Sequence, residues 1–380
     1  MKKSKILSLM LIPVAVLSAG CQDKQDPAEE ENVPEEPVII APDTISFDWQ
    51  HPYEEILKKF MDSEKYVPEN EDSSDFSMFD ICDINSDGVP ELIISPDTDS
   101  LTKCKIYTFH GVSASETGEL GTNGHIRYLA DIGLLHDEYK SESMTMGKYV
   151  SYQGDELLPI MTYTDNTAAA ASGSAIIHEI NGESVTLPEY DKAIAQYDNE
   201  PYIYIGRKYS FSSRSLDYAV YCSESWRIVM NENQKSQCRD KLEEIFYDEN
   251  TSKNTAFELC DLNGDDVPEL IVSSGVSSED SCRIFYFTNE NILTELNGSY
   301  GSGGILSFDI EQNVFYSDIN DETVFWSLKG NNFSASEYQS SGSIMEIGRK
   351  YLLNSANLAY MFTIEPKENE FSENTEVENG

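Results

Sequence analysis

Basic residues are scarce in this sequence. Its 380 residues hold 26 Lys and Arg against 68 Asp and Glu, a formal charge of −42 at pH 7. So acidic a chain is repelled by phosphate backbones and anionic headgroups, which excludes nucleic acid as a partner. Long apolar runs are also missing. The apolar stretch over residues 6–16 is too short for a membrane-crossing helix of ~20 residues. No HExxH, GxSxG or P-loop pattern occurs, so the chemistries those motifs carry have no support here. The five histidines, His51, His110, His125, His136 and His178, share no recognisable spacing. The cysteines never fall in a CxxC arrangement, which argues against structural zinc. Hydrophobic residues make up only 39%, yet 22 Tyr and 16 Phe are ample for packed cores. The length predicts two or three domains of ~100–200 residues each.

What is present begins at the N-terminus. Lys2, Lys3 and Lys5 precede the apolar stretch, and Leu17-Ser18-Ala19-Gly20-Cys21 closes it. Basic, apolar, then small residues is the order of an export signal. The segment resembles the lipobox of bacterial lipoproteins, in which the cysteine becomes the lipidated N-terminus. That resemblance implies removal of a signal peptide over residues 1–20, lipidation at Cys21, and anchorage to the cell membrane outside the cytoplasm. Residues 21–48, rich in Glu and Pro, read as an extended acidic spacer. The Glu/Asn-rich stretch 365–380 reads as a loose tail.

The body of the chain is an internal duplication. Asp80-Ile81-Cys82-Asp83-Ile84-Asn85-Ser86-Asp87-Gly88-Val89-Pro90-Glu91-Leu92-Ile93 recurs as Glu258-Leu259-Cys260-Asp261-Leu262-Asn263-Gly264-Asp265-Asp266-Val267-Pro268-Glu269-Leu270-Ile271. Cys104-Lys105-Ile106-Tyr107 recurs as Cys282-Arg283-Ile284-Phe285. Further on, residues 177–182 align with 325–330, and Ile205-Gly206-Arg207-Lys208-Tyr209 with Ile347-Gly348-Arg349-Lys350-Tyr351. Order is kept while the offset shrinks, so copy one (49–220) carries extra residues relative to copy two (226–362), most of them placed between Leu120 and Ile177. Two copies at such spacing make neither a solenoid nor a propeller.

Each copy opens on a helical stripe: Tyr53, Ile56, Leu57 and Phe60 after Pro52, then Cys238, Leu242, Ile245 and Phe246. Short Ile, Val, Tyr and Phe runs follow at 79–82, 91–95, 105–109, 149–153 and 175–180, bounded by turn residues. Residues 215–220 and 356–362 fit a strand or a short helix equally. The expected fold is α+β: two tandem homologous domains, each an N-terminal helix packed on an antiparallel sheet.

The duplicated loops carry the chemistry. Asp83, Asn85, Asp87, the Val89 carbonyl and Glu91 stand at positions 1, 3, 5, 7 and 9 of the first. Asp261, Asn263, Asp265, the Val267 carbonyl and Glu269 do so in the second. Hard Ca²⁺ takes six to eight such oxygens. An EF-hand needs Glu at position 12, where this chain has Ile94 and Val272, so these are not EF-hands. The pattern resembles the shorter calcium loops between strands in extracellular FG-GAP and VCBS-type repeats, which implies those ten residues as ligands. Copy two has Asp266 where copy one has Gly88, and a positive φ is harder for Asp than for Gly. Asn, Asp and Gly also build ordinary turns. Alternating oxygen donors nonetheless repel one another without a cation among them.

Setting Cys21 aside leaves six cysteines in an exported chain. The repeat spacing points to Cys82–Cys104 and Cys260–Cys282 disulfides, leaving Cys222–Cys238. A three-strand meander opposes the first two, because it puts a strand between the partners. Tyr190, Tyr197, Tyr202 and Tyr204 suit either sugar stacking or strand packing. The leading expectation is a non-enzymatic, calcium-supported surface lipoprotein that binds an extracellular glycan or protein. A glycan-acting hydrolase using paired carboxylates and a purely structural envelope protein are the alternatives.

Overall fold

The computed structural model describes residues 48–68, 76–99, 102–153, 155–167, 177–319, 322–329, 332–335 and 339–363, all within one compact unit. The expected signal peptide, Cys21, nearly all of the spacer and the tail lie outside the described residues.

Copy one runs α1 (Gln50–Met61), β1 (Met78–Cys82), β2 (Glu91–Ser95), β3 (Cys104–Phe109), β4 (Ala114–Leu120), β5 (Ile126–Leu129), β6 (Leu134–Lys140), β7 (Thr145–Gln153), β8 (Glu156–Asp165), β9 (His178–Ile180), β10 (Glu183–Ser184), α2 (Leu187–Asp198), β11 (Ile203–Ile205), β12 (Tyr209–Ser210) and α3 (Ser213–Asp217). A π-helical turn, Tyr218–Cys222, and α4 (Trp226–Val229) lead onward. Copy two runs α5 (Glu232–Phe246), β13 (Ala256–Cys260), β14 (Glu269–Ser273), β15 (Cys282–Phe287), β16 (Leu293–Glu295), β17 (Leu306–Asp309), β18 (Val314–Ile319), β19 (Glu322–Lys329), β20 (Asn332–Ala335), β21 (Ile344–Ile347), β22 (Tyr351–Leu352) and α6 (Ser355–Thr363). Both segments left open between strand and helix are helical, because each ends its repeat against that repeat's core.

The duplication is written into the strand order. Each repeat builds a five-strand sheet, β4-β3-β2-β1-β12 and β16-β15-β14-β13-β22, with matching registers such as Phe79 opposite Tyr209 and Phe257 opposite Tyr351. Each also builds a second meander, β11-β5-β6-β7-β8 extended by β9 and β10 in copy one, and β21-β17-β18-β19-β20 in copy two. Antiparallel pairing of β12 with β21, at Tyr209 opposite Met345, then joins the first sheet of copy one to the second sheet of copy two. The result is one ten-stranded sheet beside sheets of seven and five strands.

Two expectations change here. The fold is mixed, with helices and antiparallel sheets, but the copies are not separate tandem domains; they share a sheet. An isolated repeat would leave the edge of β12 unpaired, and β21 covers it. The extra residues of copy one are also placed differently. Leu134 faces Ser151 across β6–β7 as Val314 faces Ser327 across β18–β19. Thus β19 corresponds to β7, and the alignment of 177–182 with 325–330 does not survive the register. The additional elements are β9, β10 and α2, after β8.

Burial follows strand alternation. Leu92 and Ile94 face α1 through Tyr53, Leu57 and Phe60, while Ile93 and Ile106 face Ile126, Tyr128 and Val150 of the second sheet. In copy two, Leu270 and Val272 face Cys238 and Leu242 of α5, and Ile271 and Ile284 face Leu306, Phe308 and Met345. Every residue of β2 and β14 is buried, as strands covered on both faces require.

At the joint, Lys208 donates its amide to Phe79 and accepts the Glu346 amide on its carbonyl, at 3.0 and 2.8 Å. Its ammonium lies 2.7 and 2.9 Å from the two Glu258 oxygens and 2.7 Å from the Glu346 carbonyl. Lys208 and Glu258 are both buried. Removing one partner strands a charge, at roughly 3–5 kcal/mol. Lys208→Ala is therefore expected to lower the unfolding free energy by about 3–5 kcal/mol in urea titrations. The apolar double variant Lys208→Met/Glu258→Leu should lose far less, and equal losses would refute this account of the joint.

Candidate functional site

The acidic loops connect β1 to β2 and β13 to β14, and they share one backbone path. Ser86 and Gly88 have φ of 60° and 86°; Gly264 and Asp266 have 75° and 65°. Asp266 thus adopts the left-handed conformation that Gly88 takes, a conformation Asp tolerates better than most residues.

Asp83 accepts the Asp87 and Gly88 amides at 3.2 and 3.0 Å, and Asp87 accepts the Val89 amide at 2.8 Å. Asp261 likewise accepts the Asp265 and Asp266 amides at 3.3 and 3.0 Å, and Asp265 the Val267 amide at 2.9 Å. Glu91 and Glu269 are 1% exposed and accept the amides of Ile84 and Leu262. In copy one, α1 closes the loop exit, where the Tyr53 hydroxyl donates to the Pro90 carbonyl at 2.6 Å.

Burial, reinforced by Asp83 and Asp87, pushes Glu91 up to about 8. Burial with Asp261 and Asp265 drives Glu269 up in the same way. Asp83 and Asp261 are also raised, first by burial. A carboxylate in such surroundings requires a proton or a cation. Among the described residues, no three or more His, Cys, Asp or Glu side chains are gathered on one centre. The Asn85 and Asn263 amides donate instead to Asp87 and Asp265. The donor chemistry, all hard oxygen, fits a divalent cation such as Ca²⁺.

The cysteines do not pair; all six are free thiols. Cys260 stands opposite Glu269 at one end of β14, and Cys282 opposite Ser273 at the other. Four residues along a strand and two strand spacings separate them by roughly 16 Å, against a limit of ~7 Å for a disulfide. Cys82 and Cys104 hold the same places around β2. Cys222 and Cys238 are free as well, in the π turn and on the buried face of α5. The repeat of Cys104 and Cys282 reflects close packing. A Cβ on Gly206 would come 3.3 Å from the Cys104 sulfur, and one on Gly348 2.8 Å from that of Cys282. Burial pushes both thiols up to about 12, which leaves them inert.

Aromatic and basic side chains gather on the outer face of the seven-stranded sheet. Tyr190 and Tyr197 of α2 pack over Tyr149 and Tyr163, so strand and helix packing accounts for them. His136 stacks on Tyr149 at 4.2 Å and bonds the Tyr163 hydroxyl at 2.7 Å. Tyr202 and Tyr204 lie beyond α2 with their rings edge to face at 5.4 Å, and the Arg127 guanidinium is 5.0 and 5.9 Å from their ring centres. Sequence reading passed over Arg127, because its place beside Tyr204 depends on pairing of β5 with β11. The only local signal was Tyr-x-Tyr alternation at 202–204.

Comparison with family models, with curated proteins and with solved structures finds no match to this chain.

Burial holds His136 down to about 4, with Arg127 contributing. The folded chain therefore keeps the imidazole neutral, while the unfolded chain takes a proton below about 6.5. The contribution of this group to stability is complete above that pH and declines as pH falls toward 4, whereas Glu91 and Glu269, raised in the folded chain, contribute in the opposite sense. Urea titrations of wild type and His136→Gln run in parallel from pH 7 to 4 should show this loss as a difference in slope of about 1.4 kcal/mol per pH unit. His136→Gln should reduce the slope, and an unchanged slope would count against the assignment.

Proposed function

We propose that the chain is a lipid-anchored, extracytoplasmic binding protein whose two repeats are supported by Ca²⁺ at the paired acidic loops. The observation that carries the calcium part is duplicated. Each repeat keeps a buried glutamate beside two aspartates, on a loop whose path is the same although Gly88 has become Asp266. Outside the cytoplasm such loops meet abundant calcium, and occupancy neutralises carboxylates that otherwise repel. Asp83, Asn85, Asp87, the Val89 carbonyl and Glu91 hold the first ion; Asp261, Asn263, Asp265, the Val267 carbonyl and Glu269 hold the second. The role is structural, pinning a strand junction, with affinity of order micromolar to millimolar as in extracellular modules.

Anchorage follows from the resemblance around Cys21, and the glutamate- and proline-rich spacer carries the folded part away from the membrane. The acidic surface leaves nucleic acid out. The ligand is an extracellular glycan or protein, bound without chemical change.

The test uses the purified full chain. Calcium is expected to raise the melting temperature and chelator to reverse it, by several degrees at saturating ion. Glu91→Gln and Glu269→Gln should each remove part of the response. A melting temperature indifferent to both calcium and chelator would refute the metal assignment. Mass spectrometry of the mature N-terminus should find lipidated Cys21, and an unmodified start elsewhere would refute the anchor.

A further inference from the structure

Arg127 stands out in a chain of net charge −42. Its guanidinium lies over the rings of Tyr202 and Tyr204 on the outer face of the seven-stranded sheet, and His125 reaches Tyr204 edge-on at 5.6 Å. Tyr204 is 40% exposed. Glu138 stands 3.9 Å from Arg127, and it already holds Lys140 at 2.8 Å and the Tyr163 hydroxyl at 3.0 Å. Arg127 therefore shares its one carboxylate within 4 Å among the described residues with Lys140 and the Tyr163 hydroxyl, and the part-exposed Tyr204 stands beside it.

The second repeat shows that the fold does not require this arrangement. Tyr204 faces Arg127 across β11–β5; in the same register across β21–β17, Glu346 faces Ser307. The aromatic–cation pair belongs to copy one alone. Tyrosine rings accept the apolar face of a pyranose, and a planar guanidinium binds a carboxylate through two parallel N–H donors. Both features within one small surface select a ligand that has both.

We propose that Tyr202, Arg127, Tyr204 and His125 bind a carboxylated saccharide, its ring on Tyr204 and its carboxylate on Arg127. This site rests on reading the chain as an extracellular binding protein.

Calorimetric titration of the full chain tests the site, with digalacturonate as probe and its methyl ester as control, each run with and without chelator. Digalacturonate should bind, and esterification should weaken binding about tenfold, as loss of a charge-assisted pair does. Arg127→Ala should cause a similar loss, and Tyr204→Ala a loss of about fivefold, with melting temperature and calcium response unchanged. Chelator should not alter the affinity, which separates direct recognition from bridging by calcium. No binding, equal binding of the ester, or wild-type affinity in Arg127→Ala would overturn the proposal. A ligand found on a glycan and protein array and insensitive to Arg127→Ala would overturn this site while the binding function stands. An array without any ligand would overturn both.

Discussion

Lys208 is the residue on which the arrangement of the two repeats depends. Its backbone bonds β1 of its own repeat and Glu346 of the other, and its ammonium ends on Glu258 in the facing sheet. A buried ion pair is not by itself a source of stability, since desolvation offsets most of the attraction. Its contribution here is specificity. In this placement Lys208 and Glu258 neutralise each other, so a pairing that separates them leaves buried charge uncompensated. Ser210 supports the same placement by accepting the Ile344 amide and donating to the Gly342 carbonyl.

The recurring Ile-Gly-Arg-Lys-Tyr segment shows how one motif serves two environments. Gly206 and Gly348 take φ of 107° and 102° over a cysteine sulfur, and their amides donate to Asp80 and Glu258. Arg207 and Arg349 reach Ser95 and Ser273. The lysines then diverge. Lys208 crosses to the other repeat, whereas Lys350 turns to Glu224 in the connection before α5, where Tyr351 and Arg227 also bind. Burial opposes ionisation of Glu224, yet Lys350 and Arg227 hold its carboxyl down to about 2. Duplicated sequence has thus given equivalent sheets but inequivalent ends.

This asymmetry also separates the shared acidic loops from the face proposed for binding. The acidic loops occur in both copies with the same path, as expected of elements that pin a strand junction. The Tyr–Arg face, on β5 and β11, occurs only in copy one among the described residues, at the sheet edge opposite β9 and β10.

Local regularities were readable in the chain itself. The stripe of Tyr53, Leu57 and Phe60, the alternation through Leu92, Ile93 and Ile94, and the loops between paired strands all arise from residues near one another in sequence. Such patterns are set by helix and strand periods, which need no distant partner. Repetition itself was equally plain. What the chain did not disclose was anything decided by long-range pairing: the union of β12 with β21, the correspondence of β19 with β7, the distance between Cys260 and Cys282, and the position of Arg127 beside two tyrosines. Strands of two residues, such as β12 and β22, carry too little pattern to name their neighbours, so the packing of whole sheets made that choice. The sequence by itself determined the repeats, their elements and their acidic loops; the tertiary structure alone decided how the repeats share a sheet, because only there do Lys208 and Glu258 satisfy each other.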